Sequence, residues 1–257
     1  MKKARAVEIK EPTETTLSME RAKRRSIPVS LSYRLGRAAD AIFGRGPMLR
    51  FFLNGSWLFW RFAFERSGEI YNDSFHNQSK ALSEDYLLRW ISPEDTVIDI
   101  GCGLGRWCEI AAKYAKSVVG IDYSEELIAA ARMKPAAQQI EYIVGDVTRD
   151  LDGRQFDLAL MTHVIEHIDN PDAILAQLQQ VAKRLIVEVP DFESDPLNIV
   201  RLAENSPFYS DADHVREYTQ AILNSQLTRN GWVILENRKM GGAVLAVAEH
   251  AGGVIHR

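Results

Sequence analysis

From about Ser83 onward this 257-residue chain alternates short β-branched and aliphatic runs with segments of helical period. That alternation confines it to α/β architectures with a parallel sheet, because a strand can return parallel to its neighbour only through a crossover, usually a helix. Five runs read as strands: Thr96 to Ile100, Ser117 to Asp122, Ile140 to Asp146, Phe156 to Met161 and Arg184 to Val189. Each is nearly continuously apolar, as in strands covered on both faces, whereas one-sided antiparallel strands alternate. Trp232 to Leu235 and Ala243 to Ala248 read as two closing strands that form a hairpin-like sheet edge.

Helix starts are legible between the runs. Ser124 can cap Glu125 to Arg132, with two glutamates in the first turn where the macrodipole favours negative charge. Asn170 with Pro171 opens a helix whose stripe is Ile174, Leu175, Leu178 and Val181, and Thr219 can cap another that ends at Asn230 and Gly231. Chemistry concentrates at Val97 to Trp107, VIDIGCGLGRW, where a strand bearing Asp99 runs into Gly101, Gly103 and Gly105 as a helix begins. Glycines let the backbone turn sharply and approach a ligand without a Cβ clash. A dinucleotide fingerprint needs a further glycine where this chain has Arg106.

With these residues in order, Asp85 to Glu249 resembles the class I S-adenosylmethionine-dependent methyltransferases of small-molecule type. The match continues past the glycine loop to Asp122, at the end of the second strand, and to Asp146 in IVGDV. Softer matches are MTHVIEHIDNP after the fourth strand, VEVPD on the fifth and HVREYT before the last helix. The resemblance implies a Rossmann-like, seven-stranded, mostly parallel sheet with helices on both faces and S-adenosylmethionine as methyl donor. It implies donor contacts from Asp99 and the loop Gly101, Cys102, Gly103 and Gly105. It places Asp122 with Tyr123 at the ribose, Asp146 with Val147 at the adenine, and Thr162 and a lid residue, Tyr71, near the transfer chamber. Cys102 itself reads as a small buried residue. The acceptor is a small or lipid-like molecule, and its reacting atom is not legible. A nicotinamide-dependent oxidoreductase and a non-catalytic donor-binding subunit are the alternatives.

His163, Glu166 and His167 spell H-x-x-E-H, a zinc-peptidase pattern. That chemistry needs a helix through the pair and a third ligand downstream, and this segment follows a buried strand directly, so no metal is expected. His163 and His167 are instead the candidates for a base acting on the acceptor, against a packing or loop-bonding role, and Glu166 reads as structural.

Residues 1–82 read as a basic, aromatic-rich extension, partly disordered at 1–26, and 83–257 as the catalytic domain. Residues 1–50 carry twelve Lys and Arg against five Asp and Glu, in a chain of net charge −4. Nucleic acid is not an expected partner of so acidic a remainder. The arm reads as a solvated tail or as a docking segment for an anionic surface, with peripheral membrane contact expected within residues 1–64. Phe51 to Phe64 is too short and interrupted to cross a bilayer, and its aromatics suit a packed helix, a lid or a membrane surface. Two cysteines, no secretory pattern and no spanning run point to the cytoplasm. The oligomeric state is not legible.

Overall fold

The computed structural model describes residues 27–71, 84–134, 140–151, 153–206 and 213–250. The chain divides into two compact units, Met1–Phe51 and Phe52–Arg257. The expected boundary at 82/83 and the expected disorder at 1–26 both lie outside the described residues. In the first unit, α1 (Ile27–Phe43) ends at Gly44, whose φ of 86° only glycine takes at little cost, and α2 (Arg45–Tyr71) begins. Leu35, Ile42 and Phe43 of α1 are exposed.

Within the second unit α2 is fixed from Leu53 onward. Leu53 is buried, Ser206 Oγ donates to Asn54 Oδ1 at 2.6 Å, and Arg201 Nη2 reaches Ser56 Oγ at 3.3 Å. Phe59, Trp60 and Phe62 remain exposed, so burial of this aromatic stretch, one of the sequence readings, holds for Leu53 and in part for Trp57.

The sheet has seven strands in the order β3-β2-β1-β4-β5-β7-β6. They are β1 (Thr96–Ile100), β2 (Ser117–Asp122), β3 (Ile140–Val144), β4 (Phe156–Thr162), β5 (Ala182–Pro190), β6 (Trp232–Met240) and β7 (Ala243–His250). β1 to β5 are mutually parallel, whereas β7 runs antiparallel to both β5 and β6. The expected Rossmann-like sheet with a hairpin edge is therefore present. β3 ends two residues short of the sequence reading: Gly145 N–H still donates to the Asp122 carbonyl at 2.9 Å, but Asp146 N–H turns away to Asp150 Oδ2 at 2.7 Å. β6 runs five residues beyond its reading, since Glu236 to Lys239 lie on an edge strand where polar residues face solvent.

Helices cover both faces. A helical turn over residues 84–88 (α3), α4 (Arg106–Ala111) and α5 (Glu125–Arg132) bring Leu87, Trp107 and Ile128 against Val97, Leu158 and Ile186. On the other face α6 (Pro171–Val181) and α8 (Gln220–Arg229) lay Leu175, Leu178 and Leu227 on Ile98, Met161 and Val187. The short α7 (Leu197–Ala203) follows β5. The three caps read from sequence form as expected: Ser124 accepts from Leu127 N–H, Asn170 from Ala173 N–H and Thr219 from Ile222 N–H.

Candidate active site

Because β1 to β5 are parallel, their carboxyl ends share one edge of the sheet. The chain steps outward from β1 to β3 and then returns to β4 on the other side of β1, so the switch point lies between β1 and β4. Ligands of open α/β sheets bind in the crevice there. Gly101 and Gly103 take φ of 65° and 51° as the chain leaves β1. A Cβ at Gly101 would lie 2.6 Å from Val164 Cγ2, whereas one at Gly103 would meet nothing within 4 Å. The loop is thus packed at its start and open at its middle.

Asp122 holds that loop. Its Oδ2 accepts from Gly103 N–H at 2.9 Å and its Oδ1 from Ser124 N–H at 2.8 Å, which leaves one lone pair on each oxygen for a ligand. Asp99 is buried, and burial raises its pKa to about 7 against the pull of Cys108 Sγ, 3.2 Å from Oδ2. Asp146 caps the next turn through Thr148: the backbone N–H at 2.8 Å and then the hydroxyl at 2.7 Å hold its carboxyl below the usual range.

At the end of β4 the chain turns through His163, whose φ of 55° is left-handed and costly for a residue with a Cβ. Its Nδ1 lies 3.4 Å from Glu166 Oε1 and its Nε2 3.6 Å from Glu188 Oε1. Burial opposes charge on this ring, but Glu166 and Glu188 outweigh it and lift its pKa to about 9. The Glu166 side chain is 1% exposed, and among the described residues neither carboxylate oxygen accepts a hydrogen bond, which leaves the His163 ring 3.4 Å from Oε1 as its ion-pair neighbour. The 3₁₀ turn Ile165–His167 carries it, and Val215 N–H donates to the Glu166 carbonyl at 3.0 Å. That bond lays residues 213–218 along the turn. His214 then meets His167 edge to face at 4.8 Å between ring centres, with Glu217 Oε1 3.4 Å from His214 Nδ1. His167 Nδ1 is 3.2 Å from the Asp213 carbonyl oxygen.

Beside this cluster, at the end of β5, lies a cavity of about 640 Å³. Trp57, Trp60, Phe192, Asp191, His214 and Gly242 are among its lining, so it joins an aromatic wall from α2 to the histidine cluster. Arg201, buried on Asp195 at 2.6 Å and Asn198 at 2.8 Å, braces the wall through Ser56. The volume is that of a site for a drug-sized molecule.

The sequence profile of the methyltransferase domain family matches residues 74–237. The chain belongs to this family. Its methyltransferase domain is 36% identical over 89 residues to a ubiquinone biosynthesis O-methyltransferase of Rhodopseudomonas palustris, a stretch covering 34% of this chain and 35% of that protein. A mitochondrial ubiquinone biosynthesis O-methyltransferase of Arabidopsis thaliana is 39% identical over 79 residues, 29% of this chain and 24% of the relative. The matched region spans about a third or less of these curated relatives. Among solved structures, the magnesium protoporphyrin IX methyltransferase of Synechocystis, determined with SAH bound, superposes at a TM-score of 0.55. It is 19% identical and covers 80% of this chain and all of its own, a likeness of fold.

Most residues singled out in the sequence fall on the shared edge of this methyltransferase domain. Asp99, the loop from Gly101 through Cys102 and Gly103 to Gly105, Asp122, Asp146 and Thr162 all stand at or just past strand ends. Tyr123 is exposed, whereas Cys102 and Val147 are buried, so contacts from those two would be made by backbone. Tyr71 is the last residue of α2. The sequence reading flagged the segments VEVPD and HVREYT without singling out Glu188, His214 or Glu217, and offered the α2 aromatics as packing, a lid or a membrane surface without assigning Trp57 and Trp60 to a cavity wall. His214 opens the HVREYT segment, and its position just ahead of the Thr219 cap was the available signal.

Proposed function

We propose that the chain transfers a methyl group from S-adenosylmethionine to a small or lipid-like acceptor seated in the cavity at the end of β5. The observation that carries this reading is that the open glycine loop and the aromatic cavity lie on the same sheet edge, joined by the post-β4 turn. The donor's sulfonium already activates the methyl group, so the protein has to align the two molecules and exclude water.

The residues present fit such a donor. Asp99, a buried carboxyl without an ion pair among the described residues, suits the donor's ammonium, and ionises when one arrives. Asp122 offers its remaining lone pairs to the ribose hydroxyls, and Gly103 leaves space for the methionyl portion. Asp146, with the Val147 backbone, takes the adenine end, and Tyr71 closes from the lid side. On the acceptor side His163 holds a proton at neutral pH, so of the two histidines read as bases it supplies positive charge instead. The aromatic face of α2 and the basic arm suit an acceptor that partitions into membranes, with peripheral contact through residues 1–64. Among the described residues no helix is long and apolar enough to cross a bilayer.

Calorimetry with S-adenosylhomocysteine and with NAD tests the donor, and the first alone should bind. Incubation of a cell extract with labelled S-adenosylmethionine and the protein should then label a small-molecule fraction. Donor binding with no labelled product in any fraction would instead identify a non-catalytic donor-binding subunit, and NAD binding would revive the oxidoreductase.

A further inference from the structure

We propose that Glu166, His167 and His214 form a site for a divalent transition-metal cation of the zinc class, with an open coordination position facing the cavity. One oxygen of Glu166 and one nitrogen of each imidazole lie within 4.8 Å of one another. Zinc binds such atoms at about 2.0–2.2 Å, so small side-chain rotations toward a common centre complete the set. Two histidines and one carboxylate form a ligand set with a fourth position left for water or substrate. His214 lines the cavity, which places that position on the acceptor side.

An independent sign is the unsatisfied hydrogen-bonding capacity of Glu166. A carboxylate that is almost fully buried, with neither oxygen hydrogen-bonded, is costly unless a charge compensates it. His163 lies 3.4 Å from one oxygen but also faces Glu188, so one imidazolium serves two carboxylates. Glu217 and Asp213 add acidic groups behind His214 and His167, each 3.4 Å from an imidazole nitrogen. Four carboxylates, Glu166, Glu188, Asp213 and Glu217, thus stand at the ligand atoms or at the histidines beside them, an arrangement that suits a dication. Outer-shell acceptors are also in place: the Asp213 carbonyl and the Glu217 carboxylate can hold imidazole protons and orient both rings.

The sequence reading set zinc aside because a peptidase site needs a helix through the pair and a third ligand downstream, whereas this segment directly follows a buried strand. The structure confirms that no α-helix runs through the pair, and the geometry is not that of a peptidase. It supplies the third group from another segment, His214, through the Val215 to Glu166 backbone bond. His163, the first histidine of the pattern, stands outside the set as a neighbour of Glu166. Cation binding itself is independent of methyl transfer. Its use, to orient an oxygen-bearing acceptor at the open position, rests on the function proposed above.

The full-length chain, stripped with a chelator and dialysed, is titrated with zinc by calorimetry and with cobalt by visible absorption. One zinc should bind per chain, and cobalt should give the intense bands of a four-coordinate ion, a signature that correct folding alone does not produce. Glu166→Gln and His214→Ala should each weaken zinc by at least about a hundredfold, while His250→Gln, on a histidine paired with Gln179 elsewhere, should bind as the parent does. S-adenosylhomocysteine affinity, measured in parallel, reports folding and the donor site. Donor binding without stoichiometric zinc would overturn the metal site and leave the methyltransferase reading standing. Zinc uptake unchanged in both variants, or cobalt without four-coordinate bands, would overturn it equally. Zinc binding without donor binding would uphold the site and remove the function.

Discussion

If Asp99 receives the donor's ammonium as proposed, it couples donor binding to pH. Its carboxyl titrates near 7 in the ligand-free protein because burial favours the neutral form. A bound ammonium requires the ionised form, so affinity follows the ionised fraction, which rises from about one tenth at pH 6 to about nine tenths at pH 8. S-adenosylhomocysteine should therefore bind roughly tenfold more tightly at pH 8 than at pH 6, and Asp99→Asn should flatten that dependence. A flat profile in the parent protein would take Asp99 out of the donor's reach. If Asp122 holds both ribose hydroxyls as proposed, two charge-assisted hydrogen bonds of about 1.5–3 kcal/mol each predict that Asp122→Ala loses roughly a hundredfold to ten-thousandfold in affinity. Part of that loss is indirect, because the same carboxylate holds Gly103 N–H and Ser124 N–H. Gly103→Val should abolish donor binding through a side chain placed in the open space and a φ of 51° that a branched residue resists. Calorimetry on that variant, with circular dichroism confirming the fold, checks the loop assignment.

At the scale of elements, one carboxylate ties three strands at the edge away from the site. Asp157 on β4 accepts from Thr96 N–H at 3.0 Å and Thr96 Oγ1 at 2.9 Å on β1, and from Lys183 Nζ at 2.8 Å on β5. Burial pushes its pKa up, but Lys183 and Thr96 prevail and hold it at about 2. A depressed folded pKa contributes stability that is complete above the unfolded value near 4 and is lost as pH falls through 2. The clamp should thus contribute about 2 kcal/mol at neutral pH, and Asp157→Ala should lower the denaturation midpoint at pH 7 while narrowing its gap to the parent near pH 2. Equal gaps at both pH values would mean that the pKa shift is not the source of the stability. Strands such as β1, β2 and β4 were legible because buried parallel strands write unbroken apolar runs, and the caps at Ser124, Asn170 and Thr219 because their chemistry is local. The far half of β6 was not, since an edge strand can carry Glu236 to Lys239 without apolar alternation. The candidate donor residues could be proposed from sequence for a similar reason: Asp99, the glycines and Asp122 lie within one strand-loop-helix-strand unit. His214 and Glu188 reach His167 and His163 only through the fold, so no local pattern announced them.

For the molecule as a whole, the question is what the exposed aromatics of α2 and the basic residues before them do together. Phe59 is 74% exposed and Phe62 52%, on a helix that contributes Trp57 and Trp60 to the cavity. Arg34 and Arg37 are exposed in the preceding segment, and Arg45 is exposed at the first position of α2. Basic residues at an anionic leaflet contribute about 1 kcal/mol each, fading within a Debye length of about 8–10 Å, and apolar rings add burial in the headgroup region that salt does not screen. If both act, the full chain should co-sediment with vesicles rich in anionic lipid at low salt and be released only in part as salt rises. Deleting residues 1–46 should remove most of the salt-sensitive portion, and Phe59→Ser with Phe62→Ser in the full chain should make binding fully salt-releasable. Neither change should alter S-adenosylhomocysteine affinity, since Asp99, Gly103 and Asp122 lie on β1, β2 and the loop between them. Absence of vesicle binding by the full chain would confine the α2 aromatics to the cavity wall and leave the basic arm a solvated tail.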